Sequence, residues 1–156
     1  MSASVAVKEV PPTIFVVSSH DDVTIPEIPT ISRNEVDQMV EAIAAVGAEP
    51  VAPVTFIYHG ADGTPTTKFR LDIAFELAKK PTSAPEPYEV VDVPAFRCVA
   101  TDYVGPMPEI MRGYALLFAE MEEQGLVHSG ESREIYHKWI GFESPDNVTE
   151  LQVGVI

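Results

Sequence analysis

The stretches "FIYHGADGT" (56–64) and "EIYHKWIGF" (134–142) share the tripeptide Ile-Tyr-His, and the fold follows from whether their surroundings repeat as well. Each tripeptide ends a strand-like run and is followed by a turn-rich segment. A second strand-like run comes next, "KFRLDIAFEL" (68–77) in the first case and "VTELQVGVI" (148–156) in the second. Runs rich in β-branched and aromatic residues, separated by Gly, Pro and Asp, predict antiparallel hairpins. Tyr58 and Tyr136 lie 78 residues apart, and the same shift carries Asp72 onto Glu150. The two hairpins therefore align without a gap, which predicts a duplicated half-unit.

The segments before each hairpin repeat too. "TIFVVSS" (13–19) predicts a strand, and "SRNEVDQMVEAIAAVG" (32–47) predicts a helix. Ser32 and Glu35 have capping-box spacing, Val36, Met39, Val40 and Ile43 form an apolar stripe, and Gly47 is placed to stop the helix. In the second copy "YEVVDVPAFRCVATDYVG" (88–105) supplies strand residues. "PEIMRGYALLFAEMEEQG" (108–125) then supplies a helix with Ile110, Tyr114, Leu117 and Met121 on one side and Gly125 as its stop. "PEI" occurs at 26–28 and again at 108–110, an offset of 82 that differs from the hairpin offset by a loop-sized insertion. The expected organisation is one α+β domain over 1–156, with half-units at about 10–78 and 89–156. A proline-rich connector, "KKPTSAPEP" (79–87), lies between them at about 79–88.

Composition narrows the function classes. A 156-residue chain with 46% hydrophobic and 22% charged residues is an ordinary globular domain. Its 24 acidic and 10 basic residues give a formal charge of −14, which repels a polyanion and argues against direct nucleic-acid binding. No apolar run is long enough to span a bilayer. The opening "MSASVAVKEVPP" lacks a secretory signal's basic start and apolar core. The single cysteine, Cys98 in "FRCVA", predicts a buried reduced thiol, and together these features predict a cytoplasmic protein.

Strand alternation places Glu134 and Tyr136 on one face of their strand, with Ile135 and His137 on the other. In the last strand Leu151, Val153 and Val155 form an apolar face opposite Glu150 and Gln152. We expect the apolar face to lie under the helix and the Glu134, Tyr136 and Glu150 face to meet the other half-unit. That half would contribute Phe56, Tyr58 and Asp72 to a pocket at the junction. Tyr103, Trp139 and Phe142 complete the expected ligand-lining set. Carboxylates among aromatic rings suit a flat, lipophilic cation, because each ring face adds about 0.5–2 kcal/mol of cation–π attraction. His20, His59, His128 and His137 lack zinc-site spacing, and there is no G-x-S-x-G, P-loop or G-x-G-x-x-G motif, so neither a metal nor a cofactor is expected. "NVT" (147–149) matches a glycosylation acceptor by coincidence.

"REIYHKW" with "TELQVGV", "FRLDIAFEL" and "ATDYVGPMPEIMRGYALLFAEMEEQG" together resemble the gyrase-inhibitor-like (GyrI-like) small-molecule-binding domain over nearly the whole chain. The resemblance implies two β-α-β-β half-units related by a pseudo-twofold axis, with antiparallel sheets, two main helices and a ligand cleft between the halves. It also implies the effector-binding portion of bacterial multidrug-responsive transcription regulators, in which an acidic residue among aromatics receives lipophilic cations. Carried over by position, Glu134 and Tyr136 are the best matches and Glu150 the second. The chain has no room for a DNA-binding helix-turn-helix, which implies a stand-alone sensor or drug-sequestering domain that would act on transcription through a protein partner. Its oligomeric state is left open. Two alternatives come from the same resemblance. One is a hydrolase opening cyclopropane rings of DNA-alkylating natural products, using Glu134, Tyr136 and Trp139. The other is a gyrase-inhibitor-like protein-interaction module.

Overall fold

β-branched and aromatic runs form eight strands, and two amphipathic segments form the main helices. The computed structural model describes residues 4–156. In chain order these are β1 (Ala6–Val10), β2 (Thr13–Val23), α1 (Ile28–Ala45), β3 (Thr55–His59), β4 (Phe69–Leu77), β5 (Glu89–Val93), β6 (Phe96–Val104), α2 (Met111–Gln124), β7 (His128–Lys138) and β8 (Val148–Val155). Every named strand pairing is antiparallel, and the class is α+β. Among the described residues no helix is long and apolar enough to cross a membrane.

The chain forms two compact units. Unit 1 comprises 1–10 and 96–156, and unit 2 comprises 11–95. Within unit 1 the strands run β1-β6-β8-β7, and within unit 2 they run β5-β2-β4-β3. The two orders match term by term. Chain order and unit membership differ at one strand in each case, because β1 pairs with β6 and β5 pairs with β2. The amino-terminal stretch, read from sequence only for what it lacks as a signal, is thus an edge strand of the unit built mainly from the second half of the chain.

Both predicted hairpins form, and they pair at matching positions. Ile57 faces Asp72 across β3–β4, and Ile135 faces Glu150 across β7–β8. Helix α1 starts earlier than the Ser32–Glu35 spacing suggests. Its first turn is set by a 3-10 turn at Ile25–Glu27, where the Glu27 carboxylate accepts from the backbone N–H and the hydroxyl of Thr24, both at 2.8 Å. Pro26 and Pro29 sit at first-turn positions where a missing N–H costs nothing, and so the helix runs through Ser32. Gly125 ends α2 in the left-handed conformation (φ +67°), as its position predicts.

The core of unit 1 joins α2 to the sheet through Val99, Tyr103, Leu117, Met121, Leu151, Val153 and Val155. Gly113 makes this approach close. A Cβ there would lie 2.5 Å from Leu151 Cδ1 and 3.1 Å from Tyr103 Cβ. Cys98 is buried, and burial pushes its thiol up to about 11, so it remains a protonated, inert packing group.

Candidate functional site

The site begins with one cross-strand pair. Glu134 on β7 faces Leu151 on β8, and facing residues of an antiparallel pair project from the same side of the sheet. Leu151 packs in the α2 core, so Glu134 and Tyr136 lie on the helix side of unit 1. This corrects the sequence expectation, which set Glu134 and Tyr136 on the face away from the helix together with Glu150. Counting alternation along each strand separately loses the cross-strand register, and that register puts Glu150 beside Ile135 on the opposite face.

On the helix side Glu134 is buried, with 6% of its surface exposed, and its carboxylate is held by two phenols. The Tyr114 hydroxyl, from α2, donates to Oε2 at 2.5 Å, and the Tyr136 hydroxyl donates to Oε1 at 2.6 Å. Burying a carboxylate costs several kcal/mol, which hydrogen bonds to the charge offset at about 1.5–3 kcal/mol each. Aromatic rings extend this centre in both directions. Tyr114 stacks on Phe118 with centroids 6.4 Å apart, and Trp139 meets Tyr136 edge-on at 5.8 Å. A buried carboxylate thus sits in a row of aromatic rings within a single unit.

The loop after β7 carries two large apolar side chains. Trp139 is 51% exposed and Phe142 is 54% exposed. The loop is nevertheless anchored, because buried Asn147 accepts from the N–H groups of Ile140 (2.8 Å) and Gly141 (3.4 Å) and donates to the Gly141 carbonyl at 2.6 Å. Its amide uses both its oxygen and its nitrogen in these contacts.

Other predicted residues are placed differently. Tyr103 is buried in the α2 core and its hydroxyl donates to the Pro106 carbonyl at 2.7 Å. Phe56 and Tyr58 belong to unit 2, where both are buried and Tyr58 packs against Phe69 at 5.7 Å. Asp72 faces Ile57, not Tyr58, so it lies on the strand face opposite that tyrosine. It is bound by His59 (3.0 Å) and by two Arg70 nitrogens (3.0 and 2.7 Å). Burial alone would raise its pKa, but hydrogen bonds from His59, Arg70 and Ser19 and the Arg70 charge hold it well below the usual carboxylate range. Glu150 likewise accepts from Lys8, Gln152 and His137, and these contacts outweigh burial and keep its pKa low. An open surface depression lined by Ala84, Glu86, Tyr88 and Val90 belongs to unit 2 and holds none of the predicted residues.

Tyr114 is the residue the sequence reading missed. Its place in the apolar stripe of α2 predicts a core ring. A tyrosine in such a stripe needs a hydrogen-bond partner when buried, and that requirement pointed toward a nearby carboxylate.

The model of the GyrI-like small molecule binding domain matches residues 4–155. The chain belongs to this family. No functionally curated protein matches the chain at a significant level. Among solved structures, the EcmrR C-terminal domain superposes with a TM-score of 0.79 at 18% identity, covering 100% of this chain and 99% of that one. The SAV2435 structure bound to tetraphenylphosphonium gives 0.64 at 12% identity, covering 100% and 94%. A hydrolase encoded by lin2189 from Listeria innocua gives 0.70 at 16%, covering 97% and 91%. At these identities the structural likenesses establish the GyrI-like fold of this chain, whereas the family match establishes a small-molecule-binding domain.

Proposed function

We propose that this GyrI-like domain binds lipophilic aromatic cations on the α2 side of unit 1, with Glu134 as the charge partner and Tyr114, Tyr136 and Trp139 as ring contacts. The observation that carries the reading is the buried Glu134 carboxylate held by two phenols inside an aromatic row. The phenols position the charge through neutral hydrogen bonds, and a cation with little hydration of its own pays least to approach it. Trp139 and Phe142, exposed on an anchored loop, supply apolar surface that a bound ligand would cover. The likeness to SAV2435 bound to tetraphenylphosphonium supports the same ligand class. The biological role that follows is a cytoplasmic sensor or sequestering domain.

The test is fluorescence. Trp139 is the single tryptophan and touches Tyr136, so a rhodamine dye should quench it saturably at one dye per chain. Linear, non-saturating quenching would oppose the proposal.

A second reading is hydrolysis, favoured by Glu134, Tyr136 and Trp139 forming one contact chain and supported by the likeness to the Listeria innocua hydrolase. Each Glu134 oxygen accepts one phenol hydrogen, which orients the carboxylate and leaves a second lone pair on each oxygen for a general base. Turnover of a cyclopropane-containing substrate, lost in Glu134→Gln, would establish it; binding without product would exclude it.

A further inference from the structure

On the face of unit 1 turned away from α2, three side chains from three strands converge. Asp102 on β6, His137 on β7 and Glu150 on β8 bring one potential ligand atom each to within 4.8 Å of the others. His137 Nε2 and Glu150 Oε1 are 3.0 Å apart. Two ligands each about 2.1 Å from a metal at near-right or tetrahedral angles lie about 3.0–3.4 Å apart. His137 shares the strand face of Ile135, which pairs with Glu150, and the β7–β8 register shifts beside it between Tyr136 and Lys138.

The matching positions of unit 2 show what is specific here. There the carboxylate is Asp72, paired with His59 and with the Arg70 guanidinium, and the residue facing it on β2 is Ser19. In unit 1 the position of Arg70 is taken by Val148, and the residue facing Glu150 on β6 is Asp102. The built-in guanidinium is gone and a second carboxylate has been added. Its place is filled by Lys8 of β1, whose ammonium lies 2.5 Å from Glu150 and whose side chain is 43% exposed. An independent observation comes from Gln152, which is 4% exposed. Its Nε2 donates to Glu150 at 2.7 Å, while its Oε1 has no hydrogen-bond partner and is the unsatisfied buried side-chain atom among the described residues. A metal-bound water would give it a donor.

We propose that Asp102, His137 and Glu150 form a divalent-cation site of the borderline Zn²⁺ type, in which the metal displaces the Lys8 ammonium. One imidazole nitrogen and two carboxylates suit such an ion, and two carboxylates neutralise its charge. Lys8 is the competing cation. Its flexible stem can carry the ammonium back to water at small cost.

The experiment is calorimetric titration of Zn²⁺ into the full untagged chain at neutral pH. The expected result is one ion per chain. Asp102→Asn and His137→Gln should weaken binding at least about tenfold, and Lys8→Met should tighten it at least about tenfold, since the competitor is removed. His59→Gln, in the matching pair of unit 2, should leave it unchanged. Asp102, His137 and Lys8 are all exposed enough for their variants to fold, which circular dichroism checks. Absence of binding by the wild-type chain, equal affinity in Asp102→Asn and His137→Gln, or failure of Lys8→Met to tighten binding would each overturn the proposal.

Discussion

Position 56 in unit 2 and position 134 in unit 1 occupy the same place in matching hairpins, and they differ in kind. Phe56 is one more buried ring on its strand. Glu134 is a buried carboxylate clasped by Tyr114 and Tyr136. Unit 2 does hold a carboxylate on its helix side, but the arrangement is inverted. There Glu35 sits on α1 and accepts from Ser18 of β2 at 3.0 Å and from Tyr88, whose own ionisation burial and Glu35 push up to about 12. In unit 1 the strand carries the charge and the helix the phenol. A common scaffold thus accommodates a buried carboxylate where the opposing element supplies its donors.

The harshest way to break the comparison is to copy the charge without the helix phenol. Phe56→Glu should destabilise the protein by about 3 kcal/mol or more, read by urea denaturation, because a carboxylate is buried at an apolar position. On the other face, Asp72→Asn should cost about 2 kcal/mol, since it removes the charge that Arg70 and His59 hold. Glu150→Gln should cost less, about 1 kcal/mol, because Lys8 and His137 are more exposed partners.

Both carboxyls are held below their ordinary values, so their stabilisation is present at neutral pH and is lost on acidification. It should fade as pH falls below about 4.5 for Glu150 and below 3.8 for Asp72, with Asp72→Asn flattening the acid limb of the stability curve more than Glu150→Gln. Gly113→Ala tests the close approach of α2. It should lower stability by about 1–2 kcal/mol despite alanine's better helix propensity, because Leu151 and Tyr103 occupy the space. Tyr114→Phe should cost about 1.5 kcal/mol, the loss of one hydrogen bond to the Glu134 carboxylate from a half-buried ring, while weakening cation binding measurably.

Much of this was legible in the chain. The repeated Ile-Tyr-His, the common shift to Asp72 and Glu150, and Gly125 located the hairpins and the end of α2, because turn chemistry and alternation are local. The placement of β1 and β5 was not legible, since edge pairing is a long-range choice that a five-residue strand does not announce. The face of Glu150 was misjudged for a related reason: alternation orders residues within a strand, and only the register across β7–β8 says which faces coincide. Tyr114 needed a tertiary fact too, a partner across the core.

The central claim is that the charge at Glu134 serves ligand binding and not folding. Calorimetric titration of tetraphenylphosphonium into the wild-type chain and into Glu134→Gln, with thermal midpoints measured alongside, tests it most directly. We predict affinity at least about tenfold weaker in the variant, equivalent to about 1.4 kcal/mol, with the midpoint little changed because glutamine can still accept from and donate to the two phenols. Equal affinity in the two proteins would contradict the account.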